Sequence, residues 1–154
     1  MIITGTKFIV DGILFKLATD PIIGNNGCFL YGGDRPNVGR AAKAAANELH
    51  GANAYFKAFF LLRAGVVVPI QILVDYRGFR LVAMPLLPLR GGRLVYGSAD
   101  GGRTVHNSDE KFAELMSLAG RTLHLAEHKV RDQVLASAGD VEGHMQGEER
   151  FLLD

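Results

Sequence analysis

Residues 74–88 read V-D-Y-R-G-F-R-L-V-A-M-P-L-L-P, and the first nine of them decide the fold. Residues 70–74 and 79–82 are apolar runs rich in β-branched and aromatic side chains, which suit a pleated, half-buried surface. Asp75, Tyr76, Arg77 and Gly78 join them, so the segment predicts a β-hairpin with a polar turn. Gly78 can take a positive φ at no steric cost, while Arg77 and Arg80 fall outside the apolar pattern and can face solvent or a ligand. Residues 8–15 repeat the signal as apolar, Asp11-Gly12, apolar. A third hairpin is expected over residues 141–153, with its turn at 146–149. The strand pair that contains the opening stretch is expected to span 66–87, and Gly91-Gly92 separates it from a shorter strand at 93–96. Residues 24–33 form a loop rich in Gly and Asn, with Cys28-Phe29-Leu30-Tyr31 as a short strand inside it.

Between these strands the period changes from two to between three and four. Asp34 can cap a helix entered through Pro36, along which Val38, Ala42, Ala45, Leu49, Ala52, Phe56 and Phe59 draw one apolar stripe. Gly51 costs about 1 kcal/mol relative to Ala and marks a place for a break. Asn107 or Ser108 can cap a second helix, with Phe112, Leu115, Met116, Ala119 and Leu123 on one face. Hairpins separated by helices, without regular βαβ alternation, predict an α+β fold: a mainly antiparallel sheet packed against two amphipathic helices.

The chain has 154 residues, of which 48% are hydrophobic and 21% charged, which fits one globular domain over 1–154 with a real core. A net charge of +1, from 17 basic and 16 acidic side chains, gives no bulk argument for a nucleic-acid or membrane partner, so only a local patch can carry one. One cysteine, Cys28, forms no internal disulfide and no glycosylation sequon occurs; both favour a reducing, intracellular setting. The most apolar stretch, 54–74, contains Lys57, Arg63 and Pro69, so no membrane insertion is expected. Arg150-Phe151-Leu152-Leu153-Asp154 reads like the middle of a strand, which predicts a module of a longer chain.

Four segments, in order, resemble the clustered mitochondria (CLU) domain. The D-Y-R-G turn precedes an apolar strand and a proline stretch, then follow L-V-Y-G-S-A-D-G-G-R-T-V-H (94–106), L-H-L-A-E-H-K-V (123–130) and D-V-E-G-H-M-Q-G-E-E-R-F-L-L-D (140–154). The resemblance covers the second half of the chain well and the first half loosely. It departs from the family's usual pattern at Met84-Pro85-Leu86-Leu87-Pro88, in place of Q-S-I-I-P-G, and at Gly147-Glu148-Glu149-Arg150, in place of a D-G-R turn. The resemblance implies a cytoplasmic, noncatalytic binding module, without a cofactor. The implied parent is a long protein that governs mitochondrial distribution and biogenesis and binds messenger RNAs.

Arg77, Arg80, Arg93 and Arg103, with Tyr96, are the candidate RNA-binding residues, since arginine contacts phosphates and aromatic rings stack on bases. A scattered, solvated surface explains the same residues. A second reading takes Lys16 on a strand, Glu48 on a helix, and Asp140 and Asp154 on the last hairpin as a kinase-like site for nucleotide binding or phosphate transfer. Alternation would place Asp140, Glu142 and His144 on one face there. No G-x-G-x-x-G loop occurs and no catalytic-loop Asn follows Asp140. A third reading is a protein–protein scaffold. His124, Glu127 and His128 have the H-x-x-E-H spacing of zinc enzymes, but they fall at a helix end where histidines suit the macrodipole, so no metal site is expected. Residues 98–102 can contact a phosphate through backbone N–H groups or simply turn a hairpin.

Overall fold

Two-residue turns with both residues in the left-handed region set the strand registers. Asp11 and Gly12 have φ of 50° and 77°, and Arg77 and Gly78 have 48° and 81°. Such turns match the right-handed twist of the strands they join. The computed structural model describes residues 2–4, 6–23 and 27–153; the tip of the Gly- and Asn-rich loop and Asp154 lie outside them. Along the chain run β1 (Ile2–Thr4), β2 (Lys7–Val10), β3 (Ile13–Leu17), β4 (Ile22–Ile23), β5 (Cys28–Phe29), α1 (Val38–Leu61) and β6 (Val66–Val67). Then follow β7 (Ile72–Tyr76), β8 (Phe79–Pro85), β9 (Arg93–Gly97), β10 (His106–Asn107) and α2 (Glu110–Thr122). The last four are β11 (His128–Val130), β12 (Gln133–Leu135), β13 (Glu142–Gln146) and β14 (Glu149–Leu153). The chain is α+β, with two long helices and mainly antiparallel sheets, as its hairpin pattern predicts.

Two compact units form. The first comprises Met1–His50 and Ile70–Leu86, and the second Gly51–Pro69 and Leu87–Asp154. In the first unit the strands order β1-β2-β3-β8-β7, all antiparallel. One face of this sheet carries Leu14, Lys16, Leu73, Val82 and Met84; its apolar members pack with Ala45 of α1. The second unit has a sheet ordered β10-β9-β13-β14-β6 and a core of Tyr55, Phe59, Val95, Tyr96, Phe112, Met116, Leu135 and Val141.

Four expectations need correction. The strand pair over 66–87 is only β7 with β8: Pro69 has no N–H for a ladder, and Val66-Val67 instead pairs parallel with β14 in the other sheet. The turn of that hairpin is Arg77-Gly78 alone, because both residues accept positive φ, so Asp75 and Tyr76 belong to β7. Helix α1 is capped by Asn37, whose Oδ1 accepts from Arg40 N at 2.9 Å, and α2 by Asp109, whose Oδ1 accepts from Phe112 N at 2.8 Å; neither Asp34 nor Asn107 or Ser108 serves. The buried stripe of α1 runs through Ala41, Ala45, Ala52, Tyr55 and Phe59, so Ala45, Ala52 and Phe59 lie on it as expected, whereas Val38 and Phe56 are exposed. Tyr55 takes the buried place that Phe56, about 100° further round the helix, was expected to fill.

Gly143 sits where β13 crosses the second core. A Cβ there would lie 2.9 Å from the Tyr96 Cβ and press into the Phe112 ring, whereas a Cβ at Gly139 meets nothing within 4 Å. Gly143→Ala is therefore expected to lower stability by about 1–3 kcal/mol through overpacking, with an unchanged urea m-value. Gly139→Ala should leave the unfolding midpoint close to that of the parent. Equal midpoints for the two variants would show that this crossing is looser than described.

Candidate functional site

The D-Y-R-G turn forms one wall of an open pocket of about 680 Å³ in the first unit; the other walls are the segment after β3 and the start of α1. Leu17, Ala18, Val38 and Phe79 supply apolar surface, and Asp20, Asp75, Arg77 and Arg80 are the charged residues of its lining. Three of those four charges have strong partners within the unit. Arg80 grips Asp75 in a fork, Nε to Oδ1 and Nη2 to Oδ2, both at 2.7 Å, and its Nη1 donates to Ala42 O of α1 at 3.2 Å. That fork holds the Asp75 carboxyl below its ordinary value of 3.8 and raises the Arg80 guanidinium. Asp20 is buried and accepts from the backbone N–H groups of Tyr31 and Asn37, both at 2.9 Å, tying the loop before α1 to the end of β3. Arg77 differs: it is exposed at the turn and lies 5.4 Å from the centroid of the Tyr76 ring, a cation stacked on an exposed aromatic.

The expected RNA-binding residues therefore separate. Arg77 and Arg80 belong to the first unit, with Arg77 projecting and Arg80 locked into the hairpin. Arg93 and Arg103 belong to the second unit, and both are exposed. Tyr96 is 2% exposed, its ring packs on Phe112, and its hydroxyl accepts from Ala136 N at 2.8 Å. A base has no access to that ring, so the stacking role expected of Tyr96 is corrected to a core role, and burial raises its phenol above the ordinary range.

Lys16 and Glu48 do meet. The ammonium on β3 lies 2.6 Å and 2.8 Å from the two carboxylate oxygens on α1. Asp140 belongs to the second unit, exposed in the turn before β13, and Asp154 lies outside the described residues. Because β13 starts at Glu142, Asp140 does not share a strand face with Glu142 and His144; those two lie 3.2 Å apart, Oε2 to Nε2. His124, Glu127 and His128 share no helix: α2 ends at Thr122, His124 takes φ of 57°, and His128 opens β11. Residues 98–102 direct their polar groups inward, since Ser98 Oγ accepts from Gly102 N at 2.8 Å and Asp100 Oδ1 from Thr104 N at 2.8 Å. Asp20 was not visible from spacing, because its partners are backbone groups 11 and 17 residues further on.

This geometry defines a class: an α+β chain of antiparallel hairpins with an aromatic-backed arginine at one turn. The chain belongs to the clustered mitochondria (CLU) family, whose pattern it matches over residues 3–154. It is 31% identical over 144 residues to a clustered mitochondria protein homolog of Anopheles gambiae, covering 82% of this chain and 10% of that protein. To the protein clueless of Drosophila mojavensis it is 33% identical over 143 residues, 88% of this chain and 9% of that protein. To a clustered mitochondria protein of Arabidopsis thaliana it is 32% identical over 122 residues, 72% and 8% respectively. The chain thus spans about a tenth or less of the relatives it matches. No solved structure matches it. Among the described residues, no helix is long and apolar enough to cross a membrane.

Backbone N–H bonds from Thr104, followed by its hydroxyl and that of Ser98, hold the Asp100 carboxyl down at about 2. A depressed acid favours the folded loop above its ordinary value of 3.8 and loses that contribution as pH falls through about 2. Carboxyl ¹³C titration is expected to place the midpoint near 2. A midpoint at the ordinary value would mean that the loop is open in solution.

Proposed function

We propose that this chain is a noncatalytic binding module of a clustered-mitochondria-type protein. It acts in the cytoplasm, in mitochondrial distribution and biogenesis, with messenger RNA as ligand. The observation that carries the ligand assignment is Arg77: exposed, backed by the Tyr76 ring and set at the rim of the pocket, it offers phosphate contact and a π-surface together. Arg93 and Arg103, exposed on the second unit, add phosphate contacts. Arg80 positions the hairpin rather than the ligand, because its fork to Asp75 and its Ala42 contact fix the guanidinium and take three of its N–H donors. No cofactor takes part in this reading.

Titration of a mixed-sequence single-stranded RNA at two salt concentrations tests it. Arg77→Ala, Arg93→Ala and Arg103→Ala should each weaken binding across sequences and reduce the salt slope by about one unit per lost contact. Tyr76→Ala should lose about 1–3 kcal/mol of stacking. No binding by the parent chain at low salt, or arginine variants that match it, would discard RNA as the ligand.

One observation favours the second reading, a kinase-like nucleotide-binding or phosphate-transfer domain: the Lys16–Glu48 pair joins a third-strand lysine to a helix glutamate, as in protein kinases. The same reading names Asp140 and Asp154 as its acidic residues. We expect no robust ATP-dependent phosphotransfer from this chain. Phosphotransfer that vanishes in both Lys16→Met and Asp140→Asn would put this reading first.

A further inference from the structure

Strand β7 ends the first unit's sheet, and its outward surface is apolar. Side chains alternate along it: Leu73 joins the core under α1 and Asp75 meets Arg80 on that face, so Ile72, Val74 and Tyr76 point the other way. Ile72 is 57% exposed, Tyr76 64%, and Phe79, directly opposite Tyr76 on β8, 67%. The free edge can be read as well. Arg80 O accepts from Ala18 N on the β3 side, so Phe79 and Leu81 turn their peptide groups toward β7 and engage Tyr76 and Val74. The peptide groups of Leu73 and Asp75 therefore face away from β8, and among the described residues neither has a backbone partner there.

We propose that β7 is a self-association edge: it pairs antiparallel with β7 of a second copy about a two-fold axis at Val74. The sequence fits itself about that centre. Leu73 meets Asp75 of the second copy and Asp75 meets Leu73, and these are the residues whose outward N–H and C=O groups can exchange bonds. Val74 meets Val74 at a non-hydrogen-bonded position, where side chains come closest, and Ile72 meets Tyr76, a β-branched–aromatic pair. Such an interface is isologous, with one patch serving both copies. Charge does not oppose it, because each Asp75 is already held by its own Arg80. The one charged side chain on the edge, Asp75, is neutralised by its own Arg80, and β7 contains no lysine, no proline and no bulge in its register with β8.

Sedimentation velocity across a wide concentration range, combined with cysteine cross-linking, tests this. The parent chain is expected to shift from 16.7 kDa toward twice that mass as concentration rises. Val74→Lys, which sets two ammonium groups against each other on the axis, should abolish the shift while leaving the far-UV circular dichroism unchanged. In a Cys28→Ser background, Val74→Cys should form an intermolecular disulfide on oxidation by copper phenanthroline, since a non-hydrogen-bonded pair lies within disulfide reach. Phe79→Cys, one strand further in, should not. A parent chain that stays at 16.7 kDa throughout, a Val74→Lys variant that still associates, or cross-linking through Phe79→Cys in preference to Val74→Cys would each overturn the proposal.

Discussion

Arg77 and Gly78 both adopt the left-handed backbone, and that two-residue turn brings Asp75 directly opposite Arg80. Much of the first unit's outer half follows from this register. A one-residue slip would turn every side chain of β7 to the other face, moving Leu73 out of the core under α1 and exposing Arg80 without its acid. The fork from Arg80 to Asp75 and the further bond to Ala42 O link the hairpin to the start of α1. Asp20 does the same for the incoming loop through two backbone N–H groups. Rigidity at the pocket thus comes from short, charge-assisted bonds, which hold geometry more than they add stability at an exposed surface.

The same arrangement explains why two arginines three residues apart have different roles. Arg80 sits on a strand position that faces the helix, where a carboxylate and a carbonyl await it. Arg77 occupies the turn itself, where the chain reverses and no neighbouring strand can reach it, so its closest partner is the Tyr76 ring. Lys16, on the helix-facing side of β3, resembles Arg80: its ammonium lies against Glu48. Lys16 and Arg80, which face α1, are paired, and Arg77 at the turn is exposed.

Much of this architecture was legible in the sequence where local chemistry dictates it. Asp11-Gly12 and Gly78 mark turns because Gly, and less readily Asp, take positive φ, and the strands around them follow by alternation; that Arg77 shares the second turn while Asp75 and Tyr76 stay in β7 was not legible. Helix α2 was legible because its apolar stripe is made of large residues. The stripe of α1 was legible at Ala45, Ala52 and Phe59 and missed at Val38 and Phe56, because hydrophobic weight does not tell an exposed phenylalanine from the buried Tyr55 beside it. The parallel pairing of Val66-Val67 with β14 joins residues more than eighty positions apart, a contact to which no local pattern points. The place of Arg77 in a turn, of Lys16 on a strand and of Glu48 on a helix was readable from type and order. The burial of Tyr96 was not, since a strand tyrosine looks the same in sequence whether its ring meets water or the Phe112 side chain.

The central claim, that ligand contact occurs through the open turn while the paired cations hold the fold, is tested most directly by ¹⁵N–¹H NMR during titration with a short single-stranded oligoribonucleotide at low salt. The account predicts that the amides of Tyr76, Arg77, Gly78 and Phe79 shift most in the first unit, and that the Arg80 Nε–H signal stays protected from exchange and unmoved. Unmoved turn amides, or an Arg80 Nε–H that shifts or exchanges rapidly as ligand is added, would contradict it.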